Sequence, residues 1–139
     1  MNQILQGQPL TVFGAGEQTR AFSSIDDVAP VIARSVLNPN AYGEVFNVGG
    51  DTPYSINQLI RVVAKAMGAS PEITYLPPRH EVKHAFSSHE KAREYFDVPA
   101  PVSLEAGIGR MAAWVKRVGS RKPQDFGHIE IARGLPAGW

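Results

Sequence analysis

The feature that most constrains the fold is an alternation of short apolar runs with longer amphipathic segments. Residues 10–13, 44–48 and 72–76 form short apolar runs that predict strands, and glycine or proline follows each of them. The segments between and after them repeat apolar residues at steps of three and four, which predicts helices that pack by one face. Strands that alternate with helices are typical of an α/β or α+β domain. We predict an α/β fold in which residues 44–48 form a buried strand.

Polar residues mark where the helices begin. Ser55 and Gln58 stand three positions apart at the start of an amphipathic segment, which is the signature of a capping box. Asp26 or Asp27 is predicted to cap the preceding helix. Ser103 is predicted to cap the longest helix, which a glycine ends.

Charge and cysteine content exclude several classes of function. The 139 residues carry a net charge of +1, so no broad field attracts nucleic acid or a membrane surface. The absence of cysteine excludes disulfides, thiolate metal sites and a cysteine nucleophile. His80 and His84 are four apart but follow Pro77-Pro78 and lack a third ligand, so we predict no metal site. We expect a cytoplasmic location.

A glycine pair is the only candidate for a dinucleotide-binding turn. Gly14 and Gly16 follow the first predicted strand, but Thr19 stands where a dinucleotide fingerprint needs its third glycine. The residues after the pair are predicted to be extended, whereas the fingerprint opens a helix under the phosphates. We therefore interpret the pair as a tight turn.

Four polar or aromatic residues lie near predicted strand ends, where α/β proteins bind ligands. Arg20 and Arg79 could each meet two phosphate oxygens with a planar guanidinium, although spacing alone favours two solvated surface arginines. Phe13 could pack against a flat base. Asn47 lies inside an apolar run and is either a satisfied buried amide or a donor that faces a ligand.

Several blocks in sequence order resemble the extended short-chain dehydrogenase/reductases, also called the NAD-dependent epimerase/dehydratase family. The family includes UDP-glucose 4-epimerase, which this chain resembles most, and the nucleotide-sugar dehydratases. The matching blocks are residues 9–14, 18–20, 25–29, 44–50, 55–59, 77–84 and 103–108. The resemblance implies a substrate-binding lobe with remnants of a Rossmann-type parallel sheet. It further implies that residues 1–120 are the C-terminal substrate-binding portion of such an enzyme, followed by a polar tail at 121–139.

The resemblance assigns roles to five residues of a nucleotide-sugar site. In the family, the arginines that match Arg20 and Arg79 contact the diphosphate. The acidic residue that matches Glu81 contacts the ribose. The aromatic residue that matches Phe13 lies near the base, and the asparagine that matches Asn47 lines the same pocket.

The family's catalytic Tyr-x-x-x-Lys is missing from this sequence. The residues four positions after Tyr42, Tyr54, Tyr75 and Tyr95 are Phe46, Gln58, Arg79 and Pro99, none of them lysine. The glycine-rich NAD loop is missing as well. We therefore expect no catalytic residue and no NAD bound by this chain alone, although NAD serves the full-length family.

We expect this chain to be the UDP-sugar-binding portion of an epimerase. An N-terminal Rossmann half is a potential partner, and we also expect the chain to associate with itself. Two alternatives stay open at this point. One is a stand-alone module that binds nucleotide sugars, and the other is a folded remnant that binds nothing.

Overall fold

A computed structural model describes residues 1–98 and 100–122. The polar tail expected at 121–139 lies, beyond Lys122, outside the described residues. The elements in chain order are α1 (Asn2–Leu5), β1 (Leu10–Phe13), β2 (Thr19–Ala21), α2 (Ile25–Ser35), β3 (Pro53–Ser55), α3 (Ile56–Met67), β4 (Ile73–Leu76), β5 (His84–Ala85), α4 (Glu90–Tyr95) and α5 (Leu104–Val118), with a short 3-10 turn at Pro39–Ala41. Within this part of the chain, no helix combines the length and apolar character needed to cross a membrane.

Two small sheets confirm the α/β prediction. In the first, β1 pairs in parallel with β4, and Leu10 lies opposite Ile73 while Phe13 lies opposite Leu76. In the second, β2 lies between antiparallel β3 and parallel β5. Because β1 and β4 run in the same direction in register, the loops that follow them leave from the same edge.

The capping box predicted at Ser55 is present and fixes the start of α3. The Ser55 hydroxyl accepts from the Gln58 backbone N–H at 3.1 Å, and the Gln58 side chain accepts from the Ser55 backbone N–H at 2.7 Å. Gly68 ends the helix in the left-handed region, with φ of 66°. These bonds satisfy backbone groups that a helix terminus would otherwise leave unpaired.

Helix α5 begins at Ser103 as predicted and packs against α3. Its buried positions are Leu104 and Ala112, whereas Met111 is 55% exposed. A small alanine, and not the neighbouring methionine, is therefore buried on this helix. The buried apolar residues of the described chain are Leu10, Val12, Val31, Ala41, Met67, Ala92, Leu104 and Ala112.

The cap predicted for α2 at Asp26 or Asp27 is wrong, because Ser24 caps this helix. Its hydroxyl accepts from the Asp26 backbone N–H at 3.3 Å. Asp27 is instead buried and accepts from the Val102 backbone N–H at 3.0 Å. The carboxylate is thus used to tie α2 to the segment that precedes α5.

The buried strand predicted at residues 44–48 is also wrong. This segment pairs with no strand among the described residues, and Val45 is 81% exposed. A strand needs a neighbour for its backbone groups, and the described chain does not place one there. Side chains hold the segment to α4 instead, since the Phe46 ring packs edge-to-face on Tyr95 and Phe96 with centroids 5.0 Å apart.

Candidate functional site

The clearest candidate site is a cleft at the edge where β1 and β4 end. It lies between the turn after β1 and the loop after β4, and its volume is about 180 Å³. The polar, charged and aromatic residues that line it are Phe13, Glu17, Gln18, Arg79, Glu81 and Lys83. Carboxyl ends of parallel strands are where open α/β sheets bind ligands.

A rigid turn forms one wall of this cleft. Gly14 and Gly16 have φ of 67° and 72°, which residues with a Cβ adopt only with strain. The first turn of α3 holds it in place, since the Asn57 backbone N–H donates to Gly16 O at 3.0 Å and the Asn57 side chain donates to Ala15 O at 2.9 Å. The chain leaves the turn into strand β2 and not into a helix. The turn therefore lacks the helix N-terminus that would receive the pyrophosphate of NAD, and its residues do not fit that cofactor.

Arg79 lies flat against Phe13. Its guanidinium carbon is 3.4 Å from the centroid of the Phe13 ring, well within the range of a cation–π contact. The contact joins the end of β1 to the loop after β4, across the cleft. It also keeps a positive charge at the cleft wall.

Arg20 reaches the same cleft through an ion pair with Glu81. Its Nη2 donates to Glu81 Oε2 at 3.0 Å, and its Nη1 donates to Thr19 O at 2.8 Å and Lys83 O at 3.3 Å. Gln18 completes this network, because its amide nitrogen lies 3.0 Å from Phe13 O and 3.2 Å from Glu81 Oε1.

The structure brings together four of the five residues singled out in the sequence. Phe13, Arg79 and Glu81 line the cleft, and Arg20 contacts it through Glu81. Asn47 does not line it, and lies exposed in the irregular segment 44–48. Of the two alternatives for Asn47, its exposure contradicts the satisfied buried amide, and the ligand-facing donor that the resemblance implies stays a prediction.

Three cleft residues, Glu17, Gln18 and Lys83, had no role in the sequence interpretation. Gln18 and Lys83 stand in blocks that resemble the family, close to Arg20 and Glu81, and this proximity was the available signal. With them, the charged groups at the cleft are Arg20, Arg79 and Lys83 against Glu17 and Glu81. The site therefore carries a small positive excess suited to an anion.

His80 and His84, the pair weighed as metal ligands in the sequence, are not joined by a third potential ligand in the described part of the chain. Among residues 1–98 and 100–122, no group of three potential ligands comes together. His84 Nδ1 is instead 2.9 Å from the Thr19 hydroxyl, beside the pairing of β2 with β5.

A second polar cluster lies outside the cleft and surrounds a buried histidine. His89 Nδ1 donates to Asp51 Oδ1 at 2.7 Å, and the other carboxylate oxygen accepts from Arg93. His89 Nε2 lies 3.2 Å from the Ser87 hydroxyl. The hydrogen bond from His89, aided by the Arg93 charge, holds the pKa of Asp51 below its ordinary value of 3.8. The cluster fastens the loop after residue 48 to the start of α4.

This cluster predicts an acid-sensitive contribution to stability. A carboxyl whose folded pKa is lowered stabilises the fold above its unfolded pKa, and loses that contribution as the pH falls through the folded value. We expect Asp51→Asn to lower the free energy of unfolding by about 1 kcal/mol at pH 7, because Asp51 is partly exposed and its bonds are screened. As the pH falls from 5 to below 3.8, the ordinary pKa of an aspartate carboxyl, the free energy of unfolding should decrease less in the variant than in the parent. Urea unfolding across this range measures both effects.

Asp97→Asn is the matched control, since Asp97 is exposed and forms no ion pair with a described residue. Equal stability changes in the two variants would contradict the role given to the Asp51 carboxylate.

Comparison with known proteins shows which proteins this chain is similar to. The model of the NAD dependent epimerase/dehydratase family matches residues 1–49. UDP-glucuronate 4-epimerase of Thermodesulfobacterium geofontis is 34% identical over 115 residues, which are 81% of this chain and 35% of that protein. UDP-glucuronic acid decarboxylase 1 of Xenopus tropicalis is 39% identical over 116 residues, or 83% of this chain and 27% of that protein.

Solved structures agree with the sequence relatives. The crystal structure of UDP-glucuronic acid 4-epimerase from Bacillus cereus, in complex with UDP-glucuronic acid and NAD, matches with a TM-score of 0.77 at 32% identity. The match covers 84% of this chain and 38% of that one. The chain spans about a third of the length of the curated relatives it matches. Over that part, the chain belongs to the NAD-dependent epimerase/dehydratase family, the extended short-chain dehydrogenase/reductases.

Proposed function

We propose that residues 1–120 form the sugar-nucleotide half-site of a UDP-sugar epimerase, and that the cleft at the ends of β1 and β4 binds the diphosphate. The observation that supports this most is the convergence of Phe13, Arg79 and Glu81 on one cleft, with Arg20 bonded to its wall. These residues come from positions up to 68 apart in the sequence, from Phe13 to Glu81. A set of unrelated surface arginines would have no reason to meet at one sheet edge.

The roles follow from the chemistry of each group. Arg79 and Arg20 offer the planar N–H donors that match phosphate oxygens, and Lys83 adds a point charge. Phe13 offers a flat apolar face near the same position, suited to a base or to the stacked Arg79. Glu81 is an acceptor that can receive hydrogen bonds from the hydroxyl groups of a ribose.

The size of the cleft supports a half-site and not a whole one. Its volume of about 180 Å³ is below the range of roughly 300–1,000 Å³ that is usual for pockets that enclose a drug-sized ligand. It accommodates the diphosphate and part of a neighbouring group. We propose that the rest of the nucleotide sugar contacts polypeptide beyond the described residues.

We also propose that this chain does not itself perform the redox chemistry of its relatives. NAD, when bound in such enzymes, accepts and returns a hydride. The turn at Gly14–Gly16 does not fit its pyrophosphate, and no tyrosine here is followed by lysine at the fourth position. The cleft residues of this chain therefore act by binding and orienting a nucleotide sugar.

Exposed apolar side chains support a partner for this half-site. On α2 and just after it, Ile25, Ile32, Val36 and Leu37 are 61–77% exposed, and Val45 is 81% exposed. Apolar surface of this kind is typical of a face that another polypeptide covers. We propose that it packs on a Rossmann-type half or on a second copy of the chain.

Isothermal calorimetry with UDP-glucose, UDP-glucuronic acid and UDP tests the proposed function. We expect all three to bind, whereas glucose and uridine, which lack the diphosphate, give no saturable heat. An absence of binding at millimolar nucleotide sugar would contradict the half-site proposal and favour a folded remnant. Tight binding without any partner would favour the stand-alone module.

A further inference from the structure

We propose that Glu81 is an internal competitor for the diphosphate, which occupies Arg20 in the free protein and raises the selectivity of the cleft. The inference rests on the proposed function, because it concerns how the same cleft discriminates among anions. It makes Glu81 a specificity-determining residue in addition to a ligand contact.

The geometry of Arg20 supports this role. Its Nη1 is committed to two backbone carbonyls, at 2.8 Å and 3.3 Å, so this end of the guanidinium is fixed between β2 and the loop before β5. The other end, Nη2, donates to Glu81 Oε2 at 3.0 Å. A phosphate oxygen that binds Nη2 must therefore replace the carboxylate oxygen or share the donor with it.

The second carboxylate oxygen is also held. Gln18 Nε2 lies 3.2 Å from Glu81 Oε1 and 3.0 Å from Phe13 O, so Gln18 anchors Glu81 to the end of β1. The side chains of Arg20 and Glu81 are 27% and 40% exposed, so the pair is accessible to an incoming anion. The carboxylate is thus placed in the cleft wall and is not buried behind it.

Displacing Glu81 has a different cost for different ligands. Inorganic pyrophosphate offers charge to the arginines but has no sugar hydroxyls, so near neutral pH the freed carboxylate finds at most the single acidic proton of the anion as a donor. A nucleoside diphosphate carries ribose hydroxyls, which can donate to Glu81 once it leaves Arg20. Because an unpaired carboxylate next to a bound anion is unfavourable, Glu81 should disfavour simple anions more than nucleotides.

Calorimetric titrations of pyrophosphate and UDP into the parent chain and Glu81→Gln test this inference. We expect Glu81→Gln to bind pyrophosphate about threefold to tenfold more tightly, since an exposed ion pair and one repulsive charge are removed. The ratio of UDP affinity to pyrophosphate affinity should fall by at least about threefold. Thermal unfolding of each variant checks that the fold is retained. Glu81→Ala should show the same increase in pyrophosphate affinity as Glu81→Gln, although it lacks the glutamine amide.

Glu17→Gln is the matched control, because Glu17 also lines the cleft but forms no ion pair within the described part of the chain. It removes the same charge without releasing Arg20, so we expect a gain of less than about twofold. An equal gain in Glu17→Gln would show that only overall charge matters and would overturn the competitor role.

The failure of this inference is distinguishable from the failure of the proposed function. Arginine-dependent binding of UDP-glucose with no pyrophosphate gain in Glu81→Gln would overturn the inference alone. Pyrophosphate binding that appears in Glu81→Gln, in a chain that does not bind UDP-glucose, would support the competitor role and overturn the proposed function. No binding of either ligand by either chain would overturn both.

Discussion

Simultaneous replacement of Arg20 and Arg79 by alanine is expected to weaken UDP-glucose binding by about 100-fold. A hydrogen bond to a charged group contributes roughly 1.5–3 kcal/mol, and the double variant removes the guanidinium donors proposed for the diphosphate. Arg79→Ala should lose more affinity for UDP-glucose than Arg20→Ala, because Glu81 already occupies the cleft-facing end of Arg20 in the free protein. Calorimetry on the double variant and both single variants measures these differences.

Arg34→Ala is the matched control for this prediction. It removes the same charge from an exposed position on α2, where the guanidinium donates to Pro30 O at 3.2 Å and does not line the cleft. We expect its affinity for UDP-glucose to equal that of the parent. Binding by the double variant as tight as by Arg34→Ala would show that the nucleotide sugar binds somewhere other than this cleft.

The second large effect is expected on stability, from Gly16→Ala. Gly16 has a φ of 72°, and a Cβ there would overlap the amide of Asn57, at 2.8 Å from its Cγ. Asn57 would have to rotate away and lose its bonds to Ala15 O and to the Tyr75 hydroxyl. Strain in the left-handed region together with these lost bonds should destabilise the fold by about 2–4 kcal/mol.

Gly43→Ala measures the cost of backbone strain alone, without the overlap with a side chain that is expected at Gly16. Gly43 has a similar φ of 77°, but a Cβ there meets nothing within 4 Å. Its replacement should therefore cost only the backbone term, about 1 kcal/mol. Urea unfolding of both variants gives the comparison, and a difference of less than about 1 kcal/mol would contradict the role of Asn57 as the support of the turn.

The local elements were predictable from sequence where local chemistry determines them. Ser55 with Gln58 fixes the start of α3, and Ser103 fixes the start of α5, because a cap and its helix lie within four residues of each other. The cap of α2 was misplaced by two or three residues, since Ser24, Asp26 and Asp27 are all good capping residues. Which of them caps depends on the burial of Asp27 against Val102, and that contact is not local.

The segment at residues 44–48 shows where a pattern alone is insufficient. Alternating apolar residues indicate a strand, but a strand forms only where a neighbour accepts and donates its backbone hydrogen bonds. In the described chain, the Phe46 ring and the Lys91–Glu44 ion pair of 2.6 Å hold this segment on α4. Its sequence contains no information about whether a neighbour is present.

The candidate site was partly predictable because the family resemblance names residues that are far apart in sequence. The pattern could not show that Glu81 pairs with Arg20, 61 positions away, or that Arg79 stacks on Phe13. The Arg79–Phe13 contact depends on the parallel register of β1 with β4, which brings the turn after β1 and the loop after β4 to one edge. The Arg20–Glu81 pair depends on the parallel pairing of β2 with β5. Gln18 gained its role only from that geometry.

A two-dimensional ¹H–¹⁵N NMR titration with UDP-glucose tests the central claim most directly, because it shows where the ligand binds. The proposed function predicts saturable shifts concentrated at residues 13–20 and 78–84, and their loss in the Arg20→Ala, Arg79→Ala double variant. A second groove, lined by residues that include Phe22, Val102, Leu104 and Met111, lies between the start of α2 and α5. Shifts centred on that groove, or no shifts at millimolar ligand, would contradict the assignment of the cleft at β1 and β4 as a nucleotide-sugar half-site.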